Sequence, residues 1–205
     1  MTNSKLTEMC IHMRATQKYK ELLELITFIR NRPAPKNILE IGTDKGGTFW
    51  LWCRLAADNG KIISIDMPLP HHNKSFIEQQ QKQFGAYKKA DQSLFFIRAD
   101  SHSPETEDRL LSILGGERLD IIFIDGDHTL QGVADDFERY SKYIADGGLV
   151  IFHDIVYHNM VDDCHVNILW DHLKADNDTA YEMIDDEEDD RGWGTWGGIG
   201  VLVNE

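Results

Sequence analysis

Leu39-Glu40-Ile41-Gly42-Thr43-Asp44-Lys45-Gly46-Gly47-Thr48 is the stretch that decides the fold. An apolar run, Asn37 to Ile41, reads as a short strand. It turns through glycines into a second apolar run, read as a helix from Thr48 to Asp58 that closes near Asn59-Gly60. Thr48 stands at the expected N-cap, because a hydroxyl there accepts from the first unpaired N–H groups. Glycines in such a turn let backbone approach a ligand closely, and the helix start offers free N–H donors. Gly42, Thr43, Gly46, Gly47 and Thr48 are therefore candidate ligand contacts.

Downstream, strands and helices alternate. Lys61–Asp66, Leu94–Arg98, Leu119–Ile124 and Leu149–Phe152 read as strands; Asn73–Tyr87, Pro104–Leu114 and Leu130–Ile144 read as helices. Leu119–Ile124 has little polar alternation, so both its faces are expected to be buried. A helix over 162–175 and two last strands, Thr179–Ile184 and Gly198–Val203, complete the order. The pattern predicts an α/β fold: a doubly wound, mostly parallel, seven-stranded Rossmann-like sheet with an antiparallel edge hairpin. Upstream, Leu22, Leu23, Ile26 and Ile29 give residues 17–30 one apolar face, ended by Pro33 and Pro35. Residues 1–36 are thus read as a helical cap on a domain spanning 37–205. Leu6, Met9, Ile11 and Met13 leave three roles open for residues 1–16: dimer contact, lid or local packing.

A net charge of −14 repels a phosphate backbone, so nucleic acid is a poor partner. No apolar run reaches membrane-spanning length and the first residues lack a secretory core, so a cytoplasmic protein is expected, with no membrane partner. Cys10, Cys53 and Cys164 are odd in number and widely spaced, which predicts free thiols. A homo-oligomer is left open.

In a doubly wound sheet the ligand sits beyond the carboxyl ends of the strands. The residues found there are Glu40, Gly42 and Asp44, then Asp66, then Asp100 and Ser101, then Asp125, Asp127 and His128, and finally His153 and Asp154. Asp66 is placed to accept from both hydroxyls of a ribose, and Asp100 to bind an adenine amino group. The dinucleotide fingerprint GxGxxG is absent, as is the phosphate-binding GxxxxGK[ST]. Asp44 at the loop tip disfavours a pyrophosphate and tolerates an ammonium or sulfonium. If the fourth and fifth strands are neighbours, Asp125, His153 and Asp154 converge. Turn and capping chemistry around Gly126 is the plainer role for Asp125 and Asp127.

LEIGTDKGGT at 39–48 with KIISID at 61–66 resembles the first two motifs of class I S-adenosylmethionine (SAM) dependent methyltransferases. FIDGDHTLQGVADDFERYSKYIADGGLVIFHD at 123–154 resembles a narrower group, which includes macrocin-type O-methyltransferases and cephalosporin-hydroxylase-like proteins. The resemblance implies SAM contacts at Glu40, Gly42, Asp66 and Asp100, and methyl transfer to a hydroxyl of a small molecule. It also implies a divalent metal, Mg²⁺ or Mn²⁺, at Asp125 and at the pair His153-Asp154. In the metal-dependent relatives that pair is two acids or Asp-Asn, so His153 departs from the pattern, and an imidazole admits Mn²⁺ or Fe²⁺. His128 is read as a general base or as a residue holding the cofactor or a loop. The alternatives are a metal-independent methyltransferase with a histidine base, a nucleotide-binding oxidoreductase and a non-enzymatic binding protein. His71, His72, His102, His158, His165 and His172 are expected on loops and helix surfaces. Trp193 and Trp196 either cover the cleft or pack on the sheet edge, and the acidic run 185–190 is expected to be a solvated loop.

Overall fold

A computed structural model describes residues 1–68, 73–89, 91–158, 163–187 and 195–205. His71, His72, Trp193 and the acidic residues 188–190 lie outside the described residues.

The strands are β1 (Asn37–Ile41), β2 (Lys61–Ile65), β3 (Ser93–Ile97), β4 (Leu119–Ile124), β5 (Ile144–His153), β6 (Ala180–Met183) and β7 (Ile199–Val203). The helices are α1 (Asn3–His12), α2 (Tyr19–Arg30), α3 (Gly47–Leu55), α4 (Lys74–Gly85), α5 (Pro104–Leu114), α6 (Leu130–Tyr140) and α7 (Val166–Ala175). The seven strands form one sheet in the order β3-β2-β1-β4-β5-β7-β6. Pairings are parallel from β3 to β5, and β7 runs antiparallel to both β5 and β6. This is the expected Rossmann-like sheet, with the last strand inserted inside its own edge hairpin.

Side chains alternate across the sheet, as strand geometry requires. Ile38, Ile121, Phe123, Leu149 and Ile151 face a core built with α1, α2 and α3. Leu39, Ile41, Ile122, Ile124, Val150 and Phe152 face a second core built with α5, α6 and α7. Both faces are covered, which is why β1 reads as five consecutive buried residues. Trp52 and Phe123 meet in the first core at 5.4 Å between ring centroids. Burying a side chain of that size stabilises by about 2–3 kcal/mol.

The alternation places the site. Glu40 pairs with Phe123, and Ile124 with Phe152, so Asp125 and His153 fall opposite one another one step on. Glu40, Asp125 and His153 share the parity of Ile38, Phe123 and Ile151. All three emerge on the face covered by α1, α2 and α3.

Four expectations about local structure need correcting. The N-cap of α3 is Gly46, with φ of 81°, and Thr48 lies inside the helix. The close approach of Gly47 to Ala15 pulls the helix start under the N-terminal segment. That helix ends at Leu55 rather than Asp58. The helix read to Ile144 stops at Tyr140; a 3₁₀ turn, Ser141–Tyr143, follows, and β5 already begins at Ile144. Residues 1–16 pack onto the domain, and Arg14, Ala15 and Thr16 line a cleft. Leu6 and Cys10 are buried in the first core, and the Cys10 thiol meets the Gly47 carbonyl at 3.5 Å. All three cysteines are buried and free. No described helix is long and apolar enough to cross a membrane.

Candidate active site

The glycine loop between β1 and α3 is held from behind. Gly42 N donates to Ile65 O at 2.9 Å and Asp125 N donates to Ile41 O at 2.9 Å. A Cβ on Gly42 would lie 1.9 Å from the Asp125 carbonyl, and its φ is +84°. Gly42 is therefore demanded by backbone packed against backbone. The same contact couples the loop to Asp125.

Glu40 is fully buried below the loop. Trp52 Nε1 donates to its Oε1 at 2.9 Å. Burial pushes its carboxyl up to about 8, against hydrogen bonds from Thr48, Trp52 and Thr43 that favour the charged form. The Thr43 hydroxyl bonds the Ser64 hydroxyl at 2.6 Å. Thr48 thus serves Glu40 from inside the helix.

Asp66 follows β2 at the next position along the cleft. Burial raises its carboxyl above the usual range although Arg98 opposes this. Arg98 Nη1 reaches Asp66 Oδ2 at 2.5 Å, and its Nη2 reaches Gln80 Oε1 at 2.5 Å. Gln80 Nε2 donates to the Asp44 carbonyl at 2.7 Å, which ties α4 to the loop tip. Asp100 is exposed; its Oδ1 accepts from His102 N at 2.9 Å, and Ser103, not Asp100, caps α5. Ser101 gives its carbonyl to the Tyr140 hydroxyl at 2.5 Å.

His102 lies on the turn before α5, as expected, and is half-buried. Its Nε2 lies 3.3 Å from Asp136 Oδ1, and Asp136 is fully buried. Burial, opposed by Ser101 and His102, raises the Asp136 carboxyl to about 6.

The second group of residues gathers at the ends of β4 and β5. His153 Nδ1 lies 3.2 Å from Asp125 Oδ1 and 3.3 Å from Asp154 Oδ2. His128 Nε2 lies 3.3 Å from the same Asp125 oxygen, and its Nδ1 lies 3.4 Å from Asp154 Oδ2. Two imidazoles thus bracket two carboxylates. Asp154 holds a left-handed φ of 60°, a strained conformation for aspartate that turns its carboxylate back toward β4. Asp127 keeps the plainer role: its Oδ1 accepts from Thr129 N at 2.9 Å in the turn before α6.

The charges are mutually set. Burial alone would raise Asp154, but His153, with His128 and His158, holds it down to about 2. Burial alone would lower His153, but Asp125 and Asp154 hold it well above 6.5. His128 is raised to about 10, chiefly by Asp125, with help from Cys164 and Asp154. A ring that keeps its proton so firmly donates at neutral pH.

Asp125, His153 and Asp154 each offer a ligand atom, all within 4.8 Å of one another. His153 Nε2 is buried without a hydrogen-bond partner among the described residues. Two hard oxygens and a nitrogen in this arrangement fit a divalent ion.

Sequence reasoning missed Gln17, Arg98, His158 and Glu21. Gln17 is 4% exposed, and its Nε2 donates to Asp125 Oδ2 at 2.8 Å. Glu21 is fully buried, and its Oε1 accepts from Gly198 N at 2.9 Å. Both lie in or beside α2, whose apolar pattern gave no sign of them; Arg98, directly after β3, shared the position that singled out Asp66. His158 lies on a loop, as expected, but is buried. A cleft of about 250 Å³ joins the two groups, lined by Gln17, Gly42, Thr43, Thr48, Asp125 and His128 among others. Trp196 sits with Lys18 Nζ 5.2 Å from its ring centroid.

The profile of a family described as a methyltransferase domain matches residues 39–155, the span from β1 through the end of β5. This chain belongs to that family. Among solved structures, the methyltransferase fold matches an O-methyltransferase from Bacillus cereus in complex with SAH, at 18% identity and a TM-score of 0.63 over 99% of this chain and 90% of that one. It also matches the MycE methyltransferase of the mycinamycin biosynthetic pathway, in complex with Mg, SAH and mycinamycin VI. There the identity is 20% and the TM-score 0.51, over 76% of this chain and 39% of that one. At such identities the likeness is one of fold. A curated relative, "Uncharacterized protein R132" of Acanthamoeba polyphaga mimivirus, is 53% identical over 36 residues, which is 18% of this chain and only 16% of the relative's own length.

Proposed function

We propose that this methyltransferase domain moves a methyl group from SAM to a hydroxyl of a small molecule, with a divalent ion held by Asp125, His153 and Asp154. The observation that carries the reading is the convergence of those three side chains beside the glycine loop, within 4.8 Å of one another. SAM is the cofactor that the loop's chemistry suits, since Asp44 at its tip and the absence of GxGxxG and GxxxxGK[ST] argue against a pyrophosphate. The Bacillus cereus and MycE structures, which share the fold, are both complexes with SAH.

In this reading Asp66 accepts from the ribose hydroxyls through its Oδ1 side, while Arg98 holds Oδ2. Asp100 and Ser101 line the adenine end, and Gly42, Thr43, Gly46, Gly47 and Thr48 contour the methionine end. Glu40 supports them from below through Thr43 and Thr48. A divalent ion would lower the hydroxyl's pKa and fix its oxygen for in-line attack. Gln17 orients Asp125. No proton transfer is assigned to His128 in this scheme.

Calorimetry against SAM and NAD tests the cofactor: micromolar SAM affinity and no NAD signal are expected, and failure to bind SAM or SAH sinks the reading. Turnover of hydroxyl acceptors with and without EDTA tests the ion. Undiminished turnover after EDTA treatment removes the ion from the scheme.

A further inference from the structure

Asp154 belongs to two clusters, and only one has been used so far. The second consists of His128, Asp154 and Cys164, again with one ligand atom from each within 4.8 Å of the others. Cys164 brings it next to the start of α7. Its chemistry differs, because a thiol joins an imidazole and a carboxylate.

The geometry is fixed from several directions. His165 N donates to the His128 carbonyl at 2.8 Å, which pins the residue next to Cys164 onto the turn that carries His128. His128 Nδ1 lies 3.4 Å from Asp154 Oδ2. Neighbouring donors on a tetrahedral ion stand about 3.3–3.7 Å apart when each bond is roughly 2.0–2.3 Å. That edge is already formed. Another imidazole faces the other oxygen of the same carboxylate: His158 Nε2 lies 3.8 Å from Asp154 Oδ1, with its side chain only 6% exposed. Neither nitrogen of that buried ring has a hydrogen-bond partner among the described residues. Burying an unpaired imidazole costs free energy, and a cation beside Asp154 would use it. The His128 side chain is 33% exposed, which leaves a route for an ion to enter.

We propose that His128, Asp154 and Cys164, with the buried His158 ring beside Asp154, form a second cation position that takes a thiolate-binding ion of the Zn²⁺ class and rejects Mg²⁺. Sulfur and imidazole ligands select such ions, whereas Mg²⁺ demands oxygen. Cys164 binds as the thiolate, and its proton passes to solvent. An ion there clamps the α7 leader onto the turn after β4 and so braces Asp154, the residue it shares with the proposed catalytic position. The inference rests on the reading above only through that shared aspartate.

Co²⁺ added to the chelator-treated full chain tests it. A near-ultraviolet thiolate-to-cobalt absorption band is expected, displaced by Zn²⁺ and untouched by excess Mg²⁺. Cys164→Ser should abolish the band and weaken Zn²⁺ binding by at least the roughly 10–100-fold that losing a mere supporting partner costs. Asp125→Ala should keep the band, since Asp125 belongs to the other cluster. A wild-type chain that gives no band, or a band that survives Cys164→Ser, overturns the proposal. SAM calorimetry on the same wild-type sample separates the two readings: SAM binding without a band sinks the second position alone, and a band without SAM binding sinks the methyltransferase cofactor alone.

Discussion

The proposed cofactor half of the cleft, at β1, β2 and β3, and the proposed acceptor half, at β4 and β5, handle buried acids in opposite ways. On the cofactor side the acids stay near neutrality or face one arginine. Glu40 is buried among hydroxyls and an indole N–H, with no ion-pair partner among the described residues, and its carboxyl rises to about 8. On the acceptor side two histidines straddle two aspartates, and Asp154 falls to about 2. The first arrangement shapes a pocket by hydrogen bonds and backbone contacts. The second stores charge at fixed positions, as a site must if it is to organise an ion or a reacting oxygen. The two meet where Gly42 packs against the Asp125 carbonyl and Asp125 N donates to Ile41 O.

The largest expected effect separates the halves. Asp125→Ala should reduce turnover by about a thousandfold, the scale of a lost ion-assisted step, while SAM affinity stays within a few fold. Steady-state rates and calorimetry on one preparation check this, and a parallel collapse of SAM binding would mean that the halves are not separable. The next variant joins them. Gly42→Ala forces a Cβ against backbone at positive φ, and about 3 kcal/mol of stability should go, or roughly 6–12 °C in Tm. A thermal melt close to wild type would show that the loop can retreat from β4.

Glu40 gives a pH signature. Its folded-state carboxyl, at about 8, lies above the 4.5 of an ordinary glutamate. The native state therefore binds a proton that the unfolded chain releases, and this contribution is complete below pH 4.5 and fades as pH rises through 8. Glu40→Gln should remove that part of the decline, so its Tm gains on wild type between about pH 5 and 8. Parallel Tm curves for the two proteins across that window would refute the buried neutral acid. The smallest effect sharpens the cofactor side: Arg98→Ala should raise the SAM KM about three- to tenfold with kcat little changed, the worth of one hydrogen bond to Asp66. An equal fall in kcat would place Arg98 closer to the chemistry.

The sequence made the sheet legible because β1 and β4 are buried on both faces. Leu119–Ile124 was read to the residue, and α5 to both ends, since Pro104 and Gly115 mark them. Residues at strand ends were legible for the same reason: alternation brings Asp125 opposite His153 once β4 and β5 are neighbours. Features set by a partner far along the chain were not legible. Gly46 rather than Thr48 caps α3 because the N-terminal segment presses on Gly47 at Ala15. Gln17 reaches Asp125 across a separation of 108 residues, and no local pattern announces such a bond. The early start of β5 followed from a register shift between Leu119 and Ile121, which lets Ile144 pair before Leu149.

The placement of β7 bears on how the protein is made. Pairing His153 with Ile199 and Phe152 with Gly200, it closes the β5 edge that carries the acceptor cluster. Yet it is the last strand to leave the ribosome. Until then β5 offers a row of unpaired N–H and C=O groups on an apolar strand, the kind of edge that recruits other chains. Any interruption of synthesis after β6 would yield a chain with its cofactor loop formed and its most aggregation-prone edge open.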